Sequence, residues 1–547
     1  MQSSNIADYL TAMAQQQPGN LAIAVQQPDD SFKEYSYRQL DEASDRIARG
    51  LAHYGIVPGA RTVVMERPGF EFFAVVFALF KIGAVLVAVD PGIGLKHLNR
   101  CLADARPQAF IGNRKAHLAR FLFGWASTTL QTLIVTGNKF LLLPGIIKLQ
   151  QLMQAGSRTA LPAKAVTDAD QMAAILFTSG STGSPKGAVY THQNFLAQVQ
   201  SLKDLYDIRP GEIDIATFPL FALYAPAMGM TSIIPDMDFT RPGSVEPSKI
   251  FTAIEKYSAT TMFGSPALLD RISHKGAGKN IRLPTLKRVL SAGAPVAPAI
   301  LERFSKLLNP DVQIYTPYGA TESLPVSSIG SFEVLQHTRA ATEAGKGICV
   351  GKPVAGIEVS IIAISDKSIP RWDEAIKLGP YTTGEIVVRG PQVTRKYYNR
   401  PEATLMAKIF GDQGELYHRM GDTGYLDDSG RLWFCGRKSD RVVDYDKTWF
   451  SVCCEGVFNA HEKVYRTALV GLRRKGTTVP ALCVQLEPAH LKTDTRALKW
   501  ELLRLGIQHE HTRVIRDIYI HPGFPVDIRH NAKIDRAKLA RWASKQR

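Results

Sequence analysis

The sequence predicts an α/β protein with a large N-terminal part of layered, mostly parallel sheets, followed by a small α+β domain. From about residue 35 to residue 400, short apolar runs such as RTVVM, AVLVAVD, AAILFTS and KRVLSAG alternate with longer amphipathic segments, as strands and helices do in parallel sheets. The chain has 547 residues, more than one ordinary core holds, which predicts at least two domains. After the CGRKSD turn the sequence has strand-like and helix-like segments of its own, so we place the domains at 1–436 and 437–547.

Two apolar stretches of the large domain require a choice between a core and a membrane location. Phe70–Pro91 carries Glu71 and Lys81 and is divided by Gly83, so it is predicted to be a helix followed by a buried strand rather than a bilayer span. Phe121–Gln154 has Lys139 and Lys148 as its only charges. Core packing is the first interpretation of this second stretch, and a surface for a protein partner or a bilayer is the alternative.

The composition is that of a globular protein. Hydrophobic residues make up 45% of the chain and charged residues 21%, and the N terminus lacks the basic and apolar regions of a signal peptide. The six cysteines show neither a CxxC pair nor zinc-ligand spacing, which predicts reduced thiols in a cytoplasmic protein. The formal charge of +16 suits polyanionic ligands such as ATP and also permits contact with acidic lipid. Long basic blocks are absent from the sequence, so no nucleic-acid partner is predicted.

The segment with the most potential ligand-binding groups is the loop TSGSTGSPKG at 178–187, which follows a predicted buried strand. Its glycines allow the backbone to approach a ligand closely, its hydroxyl and N–H groups supply donors, and Lys186 adds a positive charge. These properties suit a polyphosphate, although the spacing is neither that of a Walker A loop nor that of G-x-G-x-x-G. The predicted phosphate-binding residues are Thr178, Ser179, Gly180, Ser181, Thr182, Gly183 and Lys186.

A second candidate is the YGATES motif at 318–323. Glu322 directly follows a Gly-Ala-Thr turn and supplies a carboxylate suited to Mg²⁺, which keeps few protein ligands and relies on phosphate oxygens. Taken alone, this glutamate could also be a solvated turn residue. Within the complete motif, metal binding is the favoured interpretation.

Further motifs follow in a fixed order, with SAGAP at 291–295, TGEIVVRGP at 383–391, GDTGYLDDSGRLWFCGRK at 421–438 and HNAKIDRAKL at 530–539. In sequence, order and approximate spacing they resemble the AMP-forming adenylating enzymes, which include acyl-CoA synthetases, luciferases and the adenylation domains of peptide synthetases. The resemblance covers nearly the whole chain. It implies a large adenylating domain, a small mobile lid, ATP as a substrate and Mg²⁺ as a cofactor.

The same resemblance implies roles for individual residues. Tyr318 would offer a ring face to adenine opposite the SAGAP wall, Thr321 would donate to the α-phosphate, and Asp422 would bind the ribose hydroxyls with Arg437 nearby. Without the resemblance, Asp422 would pass for an ordinary turn residue. The implied nucleotide-binding residues besides the phosphate loop are Gly293, Ala294, Pro295, Tyr318, Gly319, Ala320, Thr321, Glu322, Asp422, Arg437 and Lys533, and the implied metal ligands are Thr182 and Glu322.

Three residues are the expected catalytic groups: Lys186, Glu322 and Lys533. Lys533, in HNAKIDR, lies on the lid, so its side chain would reach the carboxylate and the α-phosphate only when the lid closes. The implied lid hinge is Ser439, two residues after Arg437. The family hallmark YRTGD reads HRMGD here, but its aspartate is retained, so nucleotide binding is still expected.

The acyl pocket and the second half-reaction distinguish the branches of the family. The segment FPLFALYAPAMGM at 218–230 is almost wholly apolar, and Ala222 stands where many acyl-CoA ligases have histidine and amino-acid-activating domains have aspartate. An alkyl chain is therefore favoured over an amino acid. No glycine lies between Arg441 and Glu455, where CoA-using enzymes usually have one along the pantetheine channel, so CoA is not expected as an acceptor. The expected substrate-binding residues are Phe221, Ala222, Met228 and Gly229.

These segments, together with IIPDMDFTRPG and FPVDIRHNAKIDR, resemble the olefin β-lactone synthetases. That resemblance implies adenylation of a 2-alkyl-3-hydroxy fatty acid, whose own 3-hydroxyl then displaces AMP to give a β-lactone in olefin biosynthesis. A fatty acyl-CoA ligase or a fatty acyl-AMP ligase is the alternative, followed by a non-catalytic homologue. The expected partners are small-molecule substrates, with other pathway enzymes or a membrane touching 121–154 as further candidates and the cytoplasm as the location.

Overall fold

The computed structural model describes residues 4–89, 93–137, 145–159, 168–178, 185–218, 222–474, 476–526 and 534–546, apart from the side chains of Lys96 and Thr178. The predictions for residues 179–183, Phe221 and Lys533 lie outside these ranges. Within them, the mixed α/β architecture predicted from the sequence is confirmed, because helices pack around two largely parallel sheets and antiparallel sheets follow towards the C terminus.

The described helices, most of them amphipathic, are Ala7–Gln16, Tyr37–His53, Phe70–Lys81, Leu95–Ala105, Arg114–Phe123, Leu149–Gly156, His192–Tyr206, Tyr224–Ala227, Pro247–Tyr257, Pro266–Gly278, Pro298–Ser305, Ser331–Glu333, Arg339–Glu343, Pro401–Ala407, Ser451–Asn459, Thr495–Ile507 and Arg536–Ala543. Short 3₁₀ turns occur at Pro242–Ser244, Trp372–Glu374, Lys438–Asp440 and Pro488–His490, and a π turn at Val334–Thr338.

The first sheet has nine strands in the order β17-β15-β14-β13-β12-β10-β11-β1-β2. Its strands are β1 Leu21–Gln26, β2 Phe32–Ser36, β10 Ile213–Ile215, β11 Thr231–Ile234, β12 Thr261–Phe263, β13 Arg288–Leu290, β14 Gln313–Ala320, β15 Ser323–Gly330 and β17 Lys352–Pro353. The central pairs are parallel, and antiparallel strands close both edges.

The second sheet has seven strands in the order β7-β6-β5-β3-β4-β8-β9. They are β3 Arg61–Met65, β4 Val85–Val89, β5 Ala109–Gly112, β6 Thr132–Val135, β7 Ile146–Lys148, β8 Met172–Thr178 and β9 Lys186–Thr191. Every pair is parallel except β8 with β9. The predicted strands RTVVM, AVLVAVD and AAILFTS are all confirmed in this sheet.

Three antiparallel or mixed sheets follow. A six-stranded sheet contains β16 Ile348–Cys349, β18 Glu358–Ile362, β19 Gly384–Arg389, β20 Lys408–Phe410, β21 Leu416–Leu426 and β22 Leu432–Arg437. A hairpin is formed by β23 Val442–Asp444 and β24 Lys447–Trp449. The last sheet is formed by β25 Val464–Arg474, β26 Thr477–Leu486 and β27 Asp517–Ile520.

The first apolar stretch belongs to the core, as predicted. The helix Phe70–Lys81 buries every residue from Phe72 to Phe80, Gly83 turns the chain at a φ of 67°, and β4 follows in the centre of its sheet. Lys81, at the end of this apolar helix, pairs with Asp41 at 2.6 Å. No helix among the described residues has both the length and the apolar character needed to cross a bilayer.

The second apolar stretch divides between core and surface. Trp125, Ile134 and Leu152 are buried against neighbouring helices and strands. The last turns of the helix Arg114–Phe123, by contrast, expose Phe121 at 61% and Leu122 at 65%. Core packing is therefore confirmed for part of the stretch, while another part presents large apolar side chains to solvent.

All six cysteines are free thiols, and five of them are buried. The C-terminal sheet packs with the helices Ser451–Asn459, Thr495–Ile507 and Arg536–Ala543 around cores of its own. Ser451–Asn459 also contacts β22 and the short helix Arg339–Glu343, which joins this small part to the rest of the molecule.

Candidate active site

A cleft of about 3630 Å³ runs between the large sheets and the C-terminal part. The motifs from distant parts of the sequence meet on its walls. The predicted nucleotide-binding and hinge residues that line it are Lys186, Gly293, Ala294, Pro295, Tyr318, Gly319, Ala320, Thr321, Glu322, Asp422, Arg437 and Ser439.

Sheet topology explains this convergence. β13 and β14 are parallel neighbours, so SAGAP, which follows β13, and YGAT, at the end of β14, reach the same edge of the nine-stranded sheet. At Gly293 the φ of 94° favours glycine. In the other sheet, Thr178 and Lys186 are directly paired across β8 and β9, so the two ends of the predicted phosphate loop lie side by side.

Glu322 is a buried residue rather than a solvated one. It lies in the turn between β14 and β15 with an exposure of 9%, and its Oε1 accepts a hydrogen bond from Oη of Tyr397 at 2.6 Å. Burial, together with the charge of Glu322, raises the pKa of Tyr397 far above its ordinary value, which keeps this donor protonated. Nζ of Lys186 lies 5.3 Å from the centre of the Tyr397 ring. The structure thus brings Lys186 and Glu322 to one wall of the cleft.

Asp422 is the centre of a second polar group. Oη of Tyr318 donates a 2.6 Å hydrogen bond to its Oδ2, and Nη1 of Arg437 lies 2.9 Å from its Oδ1. Asp422 and Arg437 are direct partners in the β21–β22 pair, so the strand pairing brings the GD and GRK motifs together. Burial raises the pKa of Asp422, and the Arg437 charge opposes this shift.

The oxygen Oδ1 of Asp422 is a fitting acceptor for a sugar hydroxyl. It is buried, and its neighbour is the Arg437 guanidinium of the ion pair, which does not meet it in ideal hydrogen-bond geometry. The Arg437 guanidinium balances its charge, and the carboxylate can still accept a hydrogen bond from a ligand. The carboxylate, its tyrosine and its arginine all line the cleft, and together they are suited to bind a diol.

Comparison with known proteins decides the family. The profile of AMP-binding enzymes matches residues 10–398. The chain belongs to this family of AMP-binding enzymes. It is 46% identical to the olefin beta-lactone synthetase of Xanthomonas campestris pv. campestris and 47% identical to that of Stenotrophomonas maltophilia, and each match covers 99% of this chain and 98% of the relative.

Solved structures show the same fold at low sequence identity. The amide bond synthetase of Marinactinospora thermotolerans superposes with a TM-score of 0.79 at 20% identity, covering 98% of this chain and 99% of that chain. The o-succinylbenzoate coenzyme A synthetase of Bacillus subtilis, solved with ATP and a magnesium ion, superposes with a TM-score of 0.75 at 21% identity. That match covers 97% of this chain and 98% of the other.

Of the four residues expected to hold the acyl chain in this AMP-binding enzyme, the three that the structure describes lie behind the cleft wall. Ala222 and Met228 are buried in the core with the N-terminal helices, and a Cβ at Gly229 would lie 2.9 Å from Pro210. The described residues of the same segment that do line the cleft are Phe218 and Tyr224. The predicted apolar segment thus reaches the cleft through its aromatic residues.

Two buried basic residues that are neighbours across β20 and β21, Lys408 and His418, were missed as site residues by the sequence analysis. Burial lowers the pKa of Lys408 to about 7, while the charge of Glu322 opposes this shift, and its Nζ donates to the carbonyl of Thr394. Burial also holds the pKa of His418 well below its ordinary range, and the neighbouring Lys408 charge adds to that effect. His418 was visible as the departure from YRTGD, but no sequence signal marked Lys408.

The predicted hinge lies in a turn held by ion pairs. Ser439 is in the 3₁₀ turn Lys438–Asp440, in which Nζ of Lys438 is 3.2 Å from Glu385 and Asp440 is 3.2 Å from Arg536 of the C-terminal part. Lys533 is outside the described residues, but the segment that directly follows it, 534–536, lines the cleft.

Proposed function

We propose that this AMP-binding enzyme adenylates a 2-alkyl-3-hydroxy fatty acid with ATP and then closes the acyl-adenylate to a β-lactone. The observation that carries the proposal is the identity of 46–47% over nearly the full length to two olefin beta-lactone synthetases. The apolar cleft wall and the buried acceptor at Asp422 support it. An acyl-CoA or acyl-AMP ligase remains the second candidate, but the relatives named as acyl-CoA ligases are only 24–26% identical.

In the first step a carboxylate oxygen of the acid forms a bond to the α-phosphorus of ATP and pyrophosphate leaves. Such transfers depend on positioning and charge stabilisation. We assign the phosphate cradle to residues 178–183 with Lys186, the adenine wall to 293–295 with Tyr318, and the ribose to Asp422 and Arg437. The backbone of 319–321 would face the α-phosphate.

The fit of Glu322 to Mg²⁺ rests on its surroundings. It is a buried carboxylate at the cleft wall, and among the described side chains it accepts a hydrogen bond from Tyr397, which leaves oxygen lone pairs for a cation. A bound Mg²⁺ would neutralise charge on the phosphates. Glu322 and Thr182 would hold it, with phosphate oxygens completing the coordination.

We further propose that residues 1–436 form the adenylating domain and that 437–547 form a lid that turns at Ser439. The lid would bring Lys533 to the carboxylate and the α-phosphate, so that adenylation is coupled to closure. The C-terminal part has two hydrophobic core clusters of its own, which are separate from the main core cluster of the large sheets. This separation supports the division.

In the second step the 3-hydroxyl oxygen bonds to the acyl carbonyl carbon. The bond from that carbon to the phosphate oxygen breaks, AMP leaves with its electrons, and the hydroxyl proton is released to water. The nucleophile is tethered to the carbonyl, which gives it a high effective concentration without a second substrate. The segment after the hinge supports an internal acceptor, because 442–449 is a tight hairpin without glycine.

Product analysis tests this proposal. With a racemic 2-alkyl-3-hydroxy acid, ATP and Mg²⁺, we expect AMP, pyrophosphate and a β-lactone in equal amounts, unchanged by CoA. Whatever amount of a matched 3-deoxy acid is adenylated is expected to stop at the acyl-adenylate, because it has no hydroxyl to displace AMP. Rapid CoA thioester formation from a plain fatty acid, without lactone from the hydroxy acid, would instead support the acyl-CoA ligase.

Asp422→Ala is expected to weaken ATP binding and to raise the KM for ATP by about 10- to 100-fold, with a smaller change in kcat. The reason is the loss of the ribose acceptor, which lies away from the reacting atoms. Steady-state kinetics with varied ATP measure the effect. Asp427→Ala, which removes another buried aspartate, located in the turn between β21 and β22 and paired with Arg431, is the control. A collapse of kcat at unchanged KM would contradict the ribose assignment.

Because the proposed substrate is a lipid, the enzyme could obtain it at a membrane, and one exposed surface is suited to membrane contact. We define the apolar tip as Leu118, Phe121, Leu122 and Phe123, which are 49–65% exposed at the end of the helix Arg114–Phe123. Arg114 and Lys115 are exposed on the same helix. The sequence from 105 to 167 contains eight lysines and arginines and no acidic residue. This complementarity favours an anionic bilayer as the occupant of the tip.

Phe121→Glu combined with Leu122→Glu is expected to lower binding to phosphatidylglycerol-containing vesicles by about 100-fold, because it removes two apolar anchors and adds negative charge. Co-sedimentation at low and high salt measures it. Trp500→Glu combined with Ile507→Glu, on an exposed apolar face elsewhere, is the matched control. A wild-type protein that does not bind the vesicles would contradict the proposal. If the double substitution instead disrupted a complex with other pathway enzymes, the tip would be a contact surface for a protein partner.

A further inference from the structure

Three polar side chains form a hydrogen-bonded chain along the cleft wall. The hydroxyl of Tyr224 donates to Oε1 of Gln198, the Gln198 amide donates to Oη of Tyr190 at 3.3 Å, and Tyr190 donates to the backbone carbonyl of Thr321. All three side chains line the cleft. The chain therefore connects the segment predicted to receive the acyl group with the residue that precedes Glu322.

This chain interrupts an apolar surface. Gln198 and Tyr190 are each 3% exposed, and Phe72, Leu176 and Phe177 line the same cleft. Burying a carboxamide among apolar side chains costs free energy unless its polar atoms are satisfied. An apolar residue at 198 would hold an alkyl chain at least as well, so the glutamine suits a polar group of the ligand.

The hydrogen-bonding capacity of Gln198 is only partly used. Among the described residues, one N–H of its amide binds Tyr190, and its oxygen accepts from Tyr224, which leaves one N–H and one lone pair for a ligand. Burial raises the pKa of the Tyr190 hydroxyl, which keeps it protonated and fixes the direction of the chain. Gln198 is thereby held with a donor and an acceptor in one place.

We propose that the carboxamide of Gln198, oriented by Tyr224 and Tyr190, hydrogen-bonds the 3-hydroxyl of the acyl substrate and selects 3-hydroxy acids at the adenylation step. The inference rests on the proposed function, because that hydroxyl is the nucleophile of lactone formation. A hydroxyl can both donate to and accept from a carboxamide, so it matches the two unused positions. Recognition of the 3-hydroxyl before adenylation keeps the enzyme from accumulating acyl-adenylates that cannot form a lactone.

A site that hydrogen-bonds a substrate hydroxyl discriminates strongly against the analogue without it, because the polar groups of the site then lose their partner. We therefore expect the wild type to adenylate a 2-alkyl-3-hydroxy acid about 10²-fold more efficiently than the matched 3-deoxy acid. Single-turnover release of pyrophosphate measures adenylation of both acids, independently of the later lactone step.

Gln198→Met keeps the size of the side chain and removes its hydrogen-bonding groups. It is expected to lower kcat/KM for the 3-hydroxy acid by about 10- to 100-fold and to leave the 3-deoxy acid nearly unchanged, so that the preference disappears. Tyr224→Phe removes only the hydroxyl that orients Gln198. It is expected to reduce the preference by a smaller factor, mainly through KM for the hydroxy acid, and it carries the test if Gln198→Met does not fold.

Equal losses for both acids in these variants would overturn the inference and leave Gln198 a packing residue. The same result would leave the proposed function intact, since the wild type would still convert the hydroxy acid to a lactone. Failure of the wild type to release pyrophosphate with either acid, by contrast, would overturn the proposed function itself.

Discussion

Lys533→Ala is expected to lower the rate of AMP formation by about 10²- to 10³-fold while leaving ATP binding nearly intact, because it removes one charged donor that acts in the transition state. The segment 534–536 directly after it lines the cleft, and Ile534 bridges to Val526 on the other side of the lysine. The backbone on both sides is thus placed next to the cleft. Pyrophosphate release and nucleotide binding, measured separately, test the expectation.

Lys545→Ala is the matched control for this lysine. Lys545 is exposed beyond the helix Arg536–Ala543 of the same C-terminal part, so its loss changes the net charge equally without a role at the cleft. The Lys545→Ala variant should form AMP at the wild-type rate. Adenylation by Lys533→Ala within about tenfold of the wild type would remove Lys533 from the proposed mechanism.

Glu322→Gln is expected to lower kcat for adenylation by about 10²-fold or more and to raise the Mg²⁺ concentration needed for half-maximal rate. The carboxylate is buried at the cleft wall, and glutamine keeps its size and its hydrogen bond from Tyr397 while removing the charge. Neutralising this one charge should weaken the hold on the metal and its phosphates. Magnesium titrations of the pyrophosphate release rate measure both effects.

Tyr397→Phe is the control for Glu322. It keeps the carboxylate and removes one hydrogen bond to it, so we expect a loss of no more than about tenfold and a nearly unchanged magnesium requirement. If Glu322→Gln and Tyr397→Phe lose the same factor at every magnesium concentration, Glu322 positions the turn and does not bind the metal.

The sequence by itself determined the elements and the order of the motifs. Apolar runs bounded by glycine and polar residues predicted β3, β4, β8 and β13, because a strand buried on both faces needs a continuous apolar segment whatever surrounds it. The alternation of strands with helices predicted parallel sheets, and parallel strands place their C-terminal loops at one edge. These are local properties of the chain, so they can be derived from adjacent residues.

Only the tertiary structure decided which side chains meet. Tyr318 and Asp422 are 104 residues apart, and nothing in either motif indicates that the tyrosine hydroxyl binds the aspartate as well as offering a ring face. Likewise, Lys408 follows an ordinary helix, but in the fold it is buried within the electrostatic influence of Glu322. The strength of both interactions depends on the exclusion of water by distant parts of the chain.

The packing of distant parts of the chain also determines where the side chains of the acyl segment and of the apolar tip lie. Ala222 and Met228 are as apolar as Phe218, yet they face the core because the four-residue helix Tyr224–Ala227 turns Tyr224 towards the cleft. The apolar character of Phe121 and Leu122 predicts core residues, but no described element covers them. Hydrophobicity states that a side chain favours burial, and only the packing of remote elements determines whether a core, a ligand or solvent receives it.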